Sequence, residues 1–372
     1  MEIICNTQKL KEVLEYAERV VTRHLTLPIL NNFLLKTDKN GLTVSSTNLE
    51  IGVSSWFACK IVKEGEITVP AKIFYSIISS LGSDRVFLEI KKNNILNIST
   101  DNYKASLKGE SASDFPIIPK LAKKDNVVAI NSEVFTKALS QVVGFVSNSE
   151  TRPEITGILV YKEKEEKEIK IVATDSFRLG EKSIKVPDNQ KDFEFSVIIP
   201  SKTATEIIRV FSEMEGDLNL IIEKNQICAE LNKTEIVSRL IEGNYPDYKK
   251  LIPNSFNVEI GIKKDEFLRT IRLVSLFSSR VNDIGLVFNK GKESKARVYA
   301  TDADLGENSS EIAIEMSGED IEIKFNWRYL ADGVSGMNSD KIILNFIDEA
   351  KPCLIKSPQD NTFLYLVMPI RS

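Results

Sequence analysis

The chain has 372 residues, of which 42% are apolar and 27% charged, and its formal net charge is −4. This length is enough for two or three domains, each with its own hydrophobic core. The negative charge excludes a nucleic-acid binder that is basic overall, so any DNA-facing surface must be local.

The cysteines and the hydropathy of the chain indicate in which cellular compartment the protein lies. The four cysteines are far apart in the sequence and form no CxxC pattern, which suits buried thiols in a reducing cytosol rather than a disulfide framework or a metal site. No apolar run is long enough to cross a bilayer, and no secretion signal opens the chain. The sequence therefore predicts a cytoplasmic protein without a membrane partner.

The first third of the chain predicts two helices among short strands. After the strand MEIIC, Thr7 precedes a helix with one apolar face, and a second helix begins at Pro70. The predicted buried residues are Leu10, Val13, Leu14, Ala17 and Val21 in the first helix and Ile73, Phe74, Ile77, Ile78 and Leu81 in the second.

The same order of elements returns twice. Ser132 is predicted to cap a helix, Ser201 opens another, and a fifth helix precedes a sixth that starts between Phe325 and Leu330. The predicted buried residues are Val134, Phe135, Ala138, Leu139 and Val142, then Ala204, Ile207, Ile208 and Phe211, then Phe267, Leu268 and Ile271.

A short motif recurs at a fixed period, as STNLEIG, ATDSFRLG and ATDADLG. Its threonines are Thr47, Thr174 and Thr301, and each is 127 residues from the next. This periodicity predicts three repeats, at residues 1–121, 128–252 and 256–372. Each is an α+β unit of two helices and about eight short strands, in which the helices cover one face of antiparallel sheet. Three such units in a row can form an arc that closes by pairing with a second copy.

A catalytic function is not indicated. Asp302 and Asp304 could be metal ligands or an acid and base pair, but the same turn recurs with Glu50 or Arg178 at the second position, which favours a structural turn. The chain has one histidine, His24, without a partner cluster, and no nucleotide-binding or hydrolase motif. We expect no enzyme activity, no cofactor and no metal.

Five motifs together resemble the bacterial DNA sliding clamp family, the beta subunits of DNA polymerase III. They are TLPIL at 26–30, ETRP at 150–153, ATDSFRLG at 173–180, YPDY at 245–248 and LVMPIR at 366–371. The resemblance covers the whole chain. It implies a homodimeric ring of six similar domains, with twelve helices around a hole for duplex DNA. It also implies four kinds of partner: double-stranded DNA bound without sequence preference, the polymerase III catalytic subunit, the clamp loader and other clamp-binding replication and repair proteins.

The resemblance further implies a pocket for partner peptides. The matching positions are Arg152, Ile155, Thr174, Ser176, Phe177, Arg178, Leu179, Pro246, Leu251, Asn326, Tyr329, Leu366, Val367, Met368, Pro369 and Ile370. This set would form an apolar cup with a polar rim, suited to aliphatic and aromatic anchors. The alternative is that the aliphatic residues are domain core and that Thr174 and Asp175 only cap a turn. The middle copy looks specialised, since the third has Ala303 and Asp304 in place of Phe177 and Arg178.

Basic residues on the helices are candidates for sliding contacts with DNA phosphates. They are Lys9, Lys11, Arg19, Lys72, Lys137, Lys202, Arg209, Lys264, Arg269, Arg272 and Arg328. As ordinary solvated helix faces they would need no DNA. Arg23 and His24 match a loop where the family places a DNA-contacting arginine, although position 24 is histidine here.

The dimer seam implied by the family lies between the first and third repeats. Its candidates are Tyr103, Lys104 and Leu107 on one side and Leu276 and Phe277 on the other. These residues could instead be internal core. A protein-interaction scaffold that never encircles DNA remains the alternative function, because the net charge is negative and the basic faces are mixed with acid.

Overall fold

A computed structural model of the chain describes residues 1–21, 25–121, 127–186, 194–291 and 294–370. All strand pairs in these ranges are antiparallel, which confirms the predicted α+β class. None of the described helices is long and apolar enough to cross a membrane. The helices are α1 (Thr7–Glu18), α2 (Ala71–Ser80), α3 (Ser132–Val142), α4 (Ser201–Phe211), α5 (Lys264–Val274) and α6 (Trp327–Ser335).

The chain divides into two compact units. The first contains Met1–Thr136 and Lys202–Leu240, and the second contains Lys137–Ser201 and Ile241–Ser372. The middle third of the sequence therefore contributes to both units, because its strands join two different sheets.

The first unit has a five-stranded and an eight-stranded sheet. In spatial order the smaller sheet contains β5 (Lys60–Lys63), β1 (Glu2–Asn6), β7 (Arg85–Lys91), β8 (Ile95–Ser99) and β9 (Lys104–Lys108). The larger contains β10 (Val127–Asn131), β15 (Asp217–Ile222), β16 (Gln226–Leu231), β17 (Thr234–Arg239), β4 (Ile51–Ala58), β3 (Gly41–Thr47), β2 (Asn32–Thr37) and β6 (Glu66–Pro70).

The joint between β4 and β17 shows how the larger sheet is made continuous. Ser55 lies opposite Thr234, and their hydroxyl oxygens are 2.7 Å apart. An edge strand of the first third is thus paired with one from the middle third, which removes two exposed sheet edges. Helices α1 and α2 pack together over the core of this unit, where Leu10, Leu14 and Phe74 are fully buried.

The second unit also has two sheets. The nine-stranded sheet contains β14 (Phe195–Pro200), β11 (Gly157–Lys162), β12 (Glu168–Thr174), β13 (Arg178–Lys185), β26 (Phe363–Val367), β25 (Cys353–Lys356), β24 (Lys341–Phe346), β18 (Val258–Lys263) and β22 (Glu315–Ser317). The four-stranded sheet contains β21 (Gly306–Ala313), β20 (Lys295–Asp302), β19 (Asp283–Asn289) and β23 (Ile321–Asn326). Strands β13 and β26 form the joint, with Leu179 opposite Leu366.

Two residues predicted to be buried are exposed. Ile73 on α2 is 54% exposed, and Val134 on α3 is also exposed. Each directly precedes a fully buried phenylalanine, Phe74 or Phe135. One residue is about 100° of helix rotation, so a side chain next to the centre of the core face turns toward its margin. These two predictions were wrong because the buried face of each helix is narrower than the face that carries apolar residues.

Helix starts differ from the prediction by one or two residues. Asn6 rather than Thr7 caps α1, and its Oδ1 accepts a hydrogen bond from the Lys9 amide at 2.9 Å. In α3, Asn131 Oδ1 accepts from the Val134 amide, while the Ser132 hydroxyl donates to the Phe211 carbonyl. Phe325 still belongs to β23, and the last helix begins at Trp327.

Candidate functional site

The turn at residues 174–178 connects β12 to β13 and has a dense hydrogen-bond pattern. The Thr174 hydroxyl donates to the Arg178 carbonyl at 2.7 Å. Asp175 Oδ1 accepts from the amides of Phe177 and Arg178, both at 2.9 Å. Ser176 has a φ of 78°, the left-handed region that a non-glycine residue rarely adopts. This tight turn leaves the ring of Phe177 60% exposed.

The two related motifs repeat the contacts that Asp175 makes in this turn. Asn48 Oδ1 accepts from the amides of Glu50 and Ile51, and Asp302 Oδ1 accepts from the amides of the second and third residues that follow it. The Thr47 hydroxyl also donates to the Ile51 carbonyl at 3.0 Å. The structural interpretation of the acidic and amide residues in this motif is therefore confirmed.

The hydrogen bonds also correct the alignment of the three copies. In this alignment Arg178 is equivalent to Ile51 and Leu305, and Phe177 is equivalent to Glu50 and Asp304. Alignment by sequence alone makes Arg178 equivalent to Glu50 and Asp304, which shifts the middle copy by one residue relative to the other two. The cause is an additional residue in the middle copy between its threonine and its glycine. An arginine thus replaces an aliphatic residue in the middle copy alone.

Arg178 joins this turn to neighbouring elements of the second unit. Its Nη1 donates to Asp332 at 2.6 Å, its Nη2 to the Gly144 carbonyl at 3.0 Å, and its Nε to Asp175 at 3.0 Å. Only 11% of the side chain is exposed. Burial disfavours the cation, but the Asp332 and Asp175 carboxylates raise the pKa of Arg178 above its usual value. Arg178 is therefore a positioning residue, because most of its donors are already engaged.

Two aromatic rings form one wall beside this turn. The rings of Phe177 and Tyr329 are stacked, with centroids 6.5 Å apart and planes inclined by 25°. The backbone after β26 completes the wall, since the Met368 amide donates to the Phe177 carbonyl and the Ile370 amide to the Lys324 carbonyl, both at 2.8 Å. Residues 368–370 are thus held by backbone hydrogen bonds to this turn and to β23.

A cavity of about 650 Å³ opens between these elements. Its lining is mainly apolar, with a hydroxyl and an amide at the edge, a composition typical of sites that bury apolar anchors of a ligand. The lining residues are Ser176, Phe177, Val281, Asn326, Tyr329, Met368, Pro369 and Ile370. The structure therefore brings together seven of the sixteen residues expected in the peptide pocket.

The other nine expected residues lie outside the cavity lining. Arg178 contacts the ring of the lining residue Tyr329, and Arg152 Nη1 donates to the hydroxyl of the lining residue Ser176 at 3.4 Å. Pro246 is half-buried and Leu251 is exposed. The remaining residues are buried, as the core interpretation expects; they are Ile155, Thr174, Leu179, Leu366 and Val367.

Val281 is a cavity residue that the sequence analysis missed. It is 62% exposed and lies just before β19, in a turn where Asn282 has a φ of 60°. The Asn282 carbonyl accepts a hydrogen bond from the Trp327 amide at 2.9 Å, which fixes this turn to the start of α6. The only signal in the sequence was that Val281 is followed by asparagine, a residue type that is common in turns.

A buried polar group fixes the YPDY segment to the nine-stranded sheet. The Tyr248 hydroxyl donates to Glu181 at 2.5 Å and lies 2.8 Å from the Tyr161 hydroxyl. Lys170 makes an ion pair with the same carboxylate at 3.1 Å. Burial and the Glu181 carboxylate raise the pKa of Tyr248 above its usual value. The segment is therefore anchored by a neutral phenol donating to a charged acceptor.

The predicted DNA-facing residues lie on all six helices or at their ends, and most are exposed. Lys264 is an exception, since its Nζ donates to the Met337 carbonyl at 2.6 Å and its side chain is half-buried. Arg19 and Arg209 pair with Glu15 and Glu206 on their own helices. Arg23 and His24 lie outside the described residues.

The predicted seam residues lie beside two sheet ends. Tyr103 and Lys104 are exposed at the start of β9, whereas Leu107 is half-buried and packs against the core of the first unit. Leu276 is 67% exposed, and Phe277 is half-buried. Among the described residues, no group of three or more histidine, cysteine or carboxylate side chains could hold a metal.

Comparison with known proteins agrees with this architecture. Three family descriptions match the chain: the N-terminal domain of the DNA polymerase III beta subunit at residues 1–119, its central domain at 129–247 and its C-terminal domain at 249–371. The beta sliding clamp of Streptococcus pneumoniae serotype 4 is 28% identical over 371 residues, covering 97% of both chains. That of Bacillus subtilis is 26% identical over 381 residues and covers all of both.

Solved structures give the same result. The chain is similar to the DNA polymerase sliding clamp of Bacillus subtilis, with a TM-score of 0.94 and 26% identity over 100% of this chain and 99% of the other. The Pseudomonas aeruginosa sliding clamp bound to griselimycin shares the fold, with a TM-score of 0.93 and 23% identity over all of both chains. The chain therefore belongs to the DNA polymerase III beta subunit family, the bacterial DNA sliding clamps, which are not enzymes.

Proposed function

We propose that two copies of the chain close head to tail into a ring around duplex DNA and tether the replicative polymerase to its template. Family membership makes the chain a sliding clamp of DNA replication. The proposal adds how it assembles and where it holds its partners. It also places the three domains at residues 1–121, 128–252 and 256–372 and the protein in the cytoplasm with the chromosome.

The observation that carries the assembly is the opposite charge of two sheet ends. Strand β9 ends the five-stranded sheet and exposes Lys104 and Lys108. Strand β21 ends the four-stranded sheet and exposes Glu307 and Glu311, and Glu311 is ion-paired with Lys295 of β20. An antiparallel pair of these strands from two copies would bring lysines toward glutamates, and opposite charges across strands are stabilising.

Apolar surface beside β21 supports the same pairing. Leu273, Leu276 and Leu305 are all exposed, although most leucines of this unit are buried. Leu305 directly precedes β21, and the Leu273 carbonyl accepts a hydrogen bond from Asn308 of that strand. Exposed apolar groups beside an unpaired strand mark a protein-binding edge, and a second copy supplies the complementary edge. The two identical contacts of a head-to-tail dimer then close a ring.

The exposed lysines and arginines of the helices supply the DNA-facing surface of that ring. A clamp that slides must attract phosphates without reading bases, and isolated cations on rigid helices can do this. Tethering comes from encirclement, so the attraction need not be strong. Acidic residues elsewhere account for the net charge of −4.

The cavity beside Phe177 is the proposed docking site for the polymerase catalytic subunit, the clamp loader and other clamp-binding replication and repair proteins. Its apolar lining suits the aliphatic and aromatic side chains of a short extended peptide, and Ser176 and Asn326 can orient the peptide backbone. A shared site would make these partners compete for each protomer.

A charge-exchange experiment tests the assembly. Light scattering should give the wild type twice its chain mass of 41.8 kDa. Lys104→Glu with Lys108→Glu makes both edges acidic, and Glu307→Lys with Glu311→Lys makes both basic, so each variant should be a monomer. Mixed together, the two variants should form a heterodimer, because both contacts then join opposite charges.

The matched control changes the opposite edge of the same sheet. Lys60→Glu with Lys63→Glu on β5 alters the same number of exposed lysines and should leave the dimer intact. A wild type that stays monomeric at micromolar concentration, or variants that do not associate when mixed, would show that these edges do not pair.

A further inference from the structure

Two cysteines that are 54 positions apart in the sequence lie face to face in the first unit. Strand β1 pairs with β5 in antiparallel register, with Ile3 opposite Ile61 and Ile4 opposite Lys60. The next step of the same register places Cys5 opposite Cys59. Side chains directly opposite across antiparallel strands have Cβ atoms about 5 Å apart, close to the separation that a disulfide requires.

Side-chain contact agrees with the register. The two thiols are close enough for each to shift the pKa of the other. Cys5 belongs to the hydrophobic core of the unit, and Cys59 packs against the same core from the corner between β4 and β5. The Cys59 amide donates to the Asn40 carbonyl at 3.4 Å, so the corner is also held by the backbone.

The two thiols differ in their access to solvent. Cys5 is 1% exposed, whereas Cys59 is half-buried. The interaction between the two thiols lowers the pKa of Cys59 and, together with burial, raises the pKa of Cys5 well above its usual value. The more exposed of the two cysteines is thus the more readily ionised one, and Cys5 keeps its proton. Reactive cysteines in redox proteins show the same combination of accessibility and thiolate character.

We propose that Cys5 and Cys59 form a reversible dithiol site that hydrogen peroxide oxidises to a cross-strand disulfide. The Cys59 thiolate attacks one peroxide oxygen, the O–O bond breaks, and the leaving hydroxide takes up the proton that Cys59 lost on ionising, which makes the first water. The Cys5 sulfur then attacks the resulting sulfenic acid, its proton passes to the departing hydroxide, and a second water leaves. Two thiols lose two electrons, and the peroxide is reduced to two waters.

Metal binding is the less suitable chemistry for this pair. A tetrahedral zinc site takes three or four protein ligands, and no third histidine, cysteine or carboxylate completes such a group among the described residues. The other two cysteines, Cys228 and Cys353, are both buried, and they belong to different units.

Thiol counting and mass spectrometry of the full-length protein test the site. The reduced protein is treated with a small excess of hydrogen peroxide and quenched, and thiols are titrated after denaturation. Two of the four thiols should disappear, the intact mass should fall by about 2 Da, and a non-reduced digest should contain a peptide linking Cys5 to Cys59. Dithiothreitol should restore all four thiols. The disulfide should also raise the Tm by several degrees, because it closes a long loop of the unfolded chain.

Three variants separate this site from general oxidation. Cys353→Ala removes a buried thiol outside the pair and should still lose two thiols. Cys59→Ser should show no mass loss of about 2 Da, and Cys5→Ser should stop at a Cys59 sulfenic acid that dimedone traps. Four intact thiols, a link between other cysteines, or direct oxidation of Cys59 to sulfinic acid in the wild type would each overturn the proposal. The wild-type digest decides the question even where a serine variant fails to fold.

Discussion

The guanidinium of Arg178 lies over the ring of Tyr329, with Cζ 4.5 Å from the ring centroid. On the other side of this arginine, Nη1 donates to Asp332 at 2.6 Å. Tyr329 and Asp332 both belong to α6, so one side chain fixes the orientation of a turn and a helix that line the same cavity. The wall of the cavity is therefore held in place by Arg178, while Phe177 is a lining residue that is largely exposed.

Phe177 and Arg178 should have different effects when replaced, although they are neighbours. Phe177→Ala removes an exposed ring, so we expect peptide binding to weaken at least about tenfold while the Tm changes little. Arg178→Ala removes the side-chain hydrogen bonds to Asp175, Asp332 and the Gly144 carbonyl, so we expect a loss of about 2 kcal/mol in the free energy of unfolding as well as weaker binding. Fluorescence anisotropy with a labelled partner peptide and urea unfolding measure the two quantities. Equal loss of stability in both variants would show that Phe177 is core.

The end of the chain offers a second test of the same wall. Removing residues 368–372 deletes three lining residues and two backbone hydrogen bonds. We expect peptide binding to be lost while the protein remains dimeric, because the proposed dimer edges lie on β9 and β21. Light scattering of the truncated protein checks the second part. A monomeric or unfolded product would mean that this segment is structural.

Val281 is the residue whose role was not predicted from the sequence. Val281→Asp places a charge at the cavity mouth and should weaken peptide binding by about tenfold or more, since an unpaired charge facing an apolar ligand is costly. Val62→Asp is a matched control, because Val62 is a similarly exposed valine in the other unit. Unchanged affinity in the first variant, or equal losses in both, would remove Val281 from the site.

The buried phenol of Tyr248 predicts a loss of stability at alkaline pH. Its folded pKa is raised, so its contribution is complete below the unfolded pKa of about 10 and declines as the pH rises further. Tyr248→Phe loses a hydrogen bond to a charged acceptor and should be about 1.5 kcal/mol less stable at pH 8. The difference between wild type and variant should narrow above pH 10, as measured by urea unfolding. A constant difference would contradict the assigned shift in pKa.

The helix cations should determine the salt dependence of DNA binding. We expect the triple change Lys72→Ala, Lys137→Ala and Arg328→Ala to reduce the slope of log K against log salt by about 0.9 for each phosphate that is no longer neutralised. Alanine at Lys39, Lys63 and Lys224, which are exposed outside the helices, is the matched control. Anisotropy of a short duplex at several salt concentrations gives the slopes. An unchanged slope in the helix variant would remove these residues from the DNA face.

Local sequence signals predicted the elements well and their partners poorly. Spacings such as Leu10 to Leu14 identify a buried helix face, because helix geometry repeats within a few residues. The joint that brings Ser55 to Thr234 depends on contacts across 179 positions. No local pattern encodes which strands of different repeats pair with each other. The strand order of the eight-stranded and nine-stranded sheets could therefore not be predicted.

The candidate site shows the same division. Phe177 could be predicted as a pocket residue because it differs from the equivalent residues of the other repeats. Met368, Pro369 and Ile370 could be predicted because they belong to the LVMPIR motif of the family. The role of Arg178 could not be read from the sequence, since its partners Gly144 and Asp332 are distant in the chain. That Cys5 lies opposite Cys59 could not be predicted for the same reason, because the two residues are far apart in the sequence.

Retention on circular against linear DNA tests encirclement most directly. The protein is loaded by its clamp loader onto a nicked circular plasmid, free protein is removed by gel filtration, and half of the sample is linearised with a single-cutting nuclease. We predict that the protein remains on the circle and leaves the linear DNA, because only a closed ring is held by topology and released at an end. Equal retention on both forms, or equal loss from both, would contradict the ring.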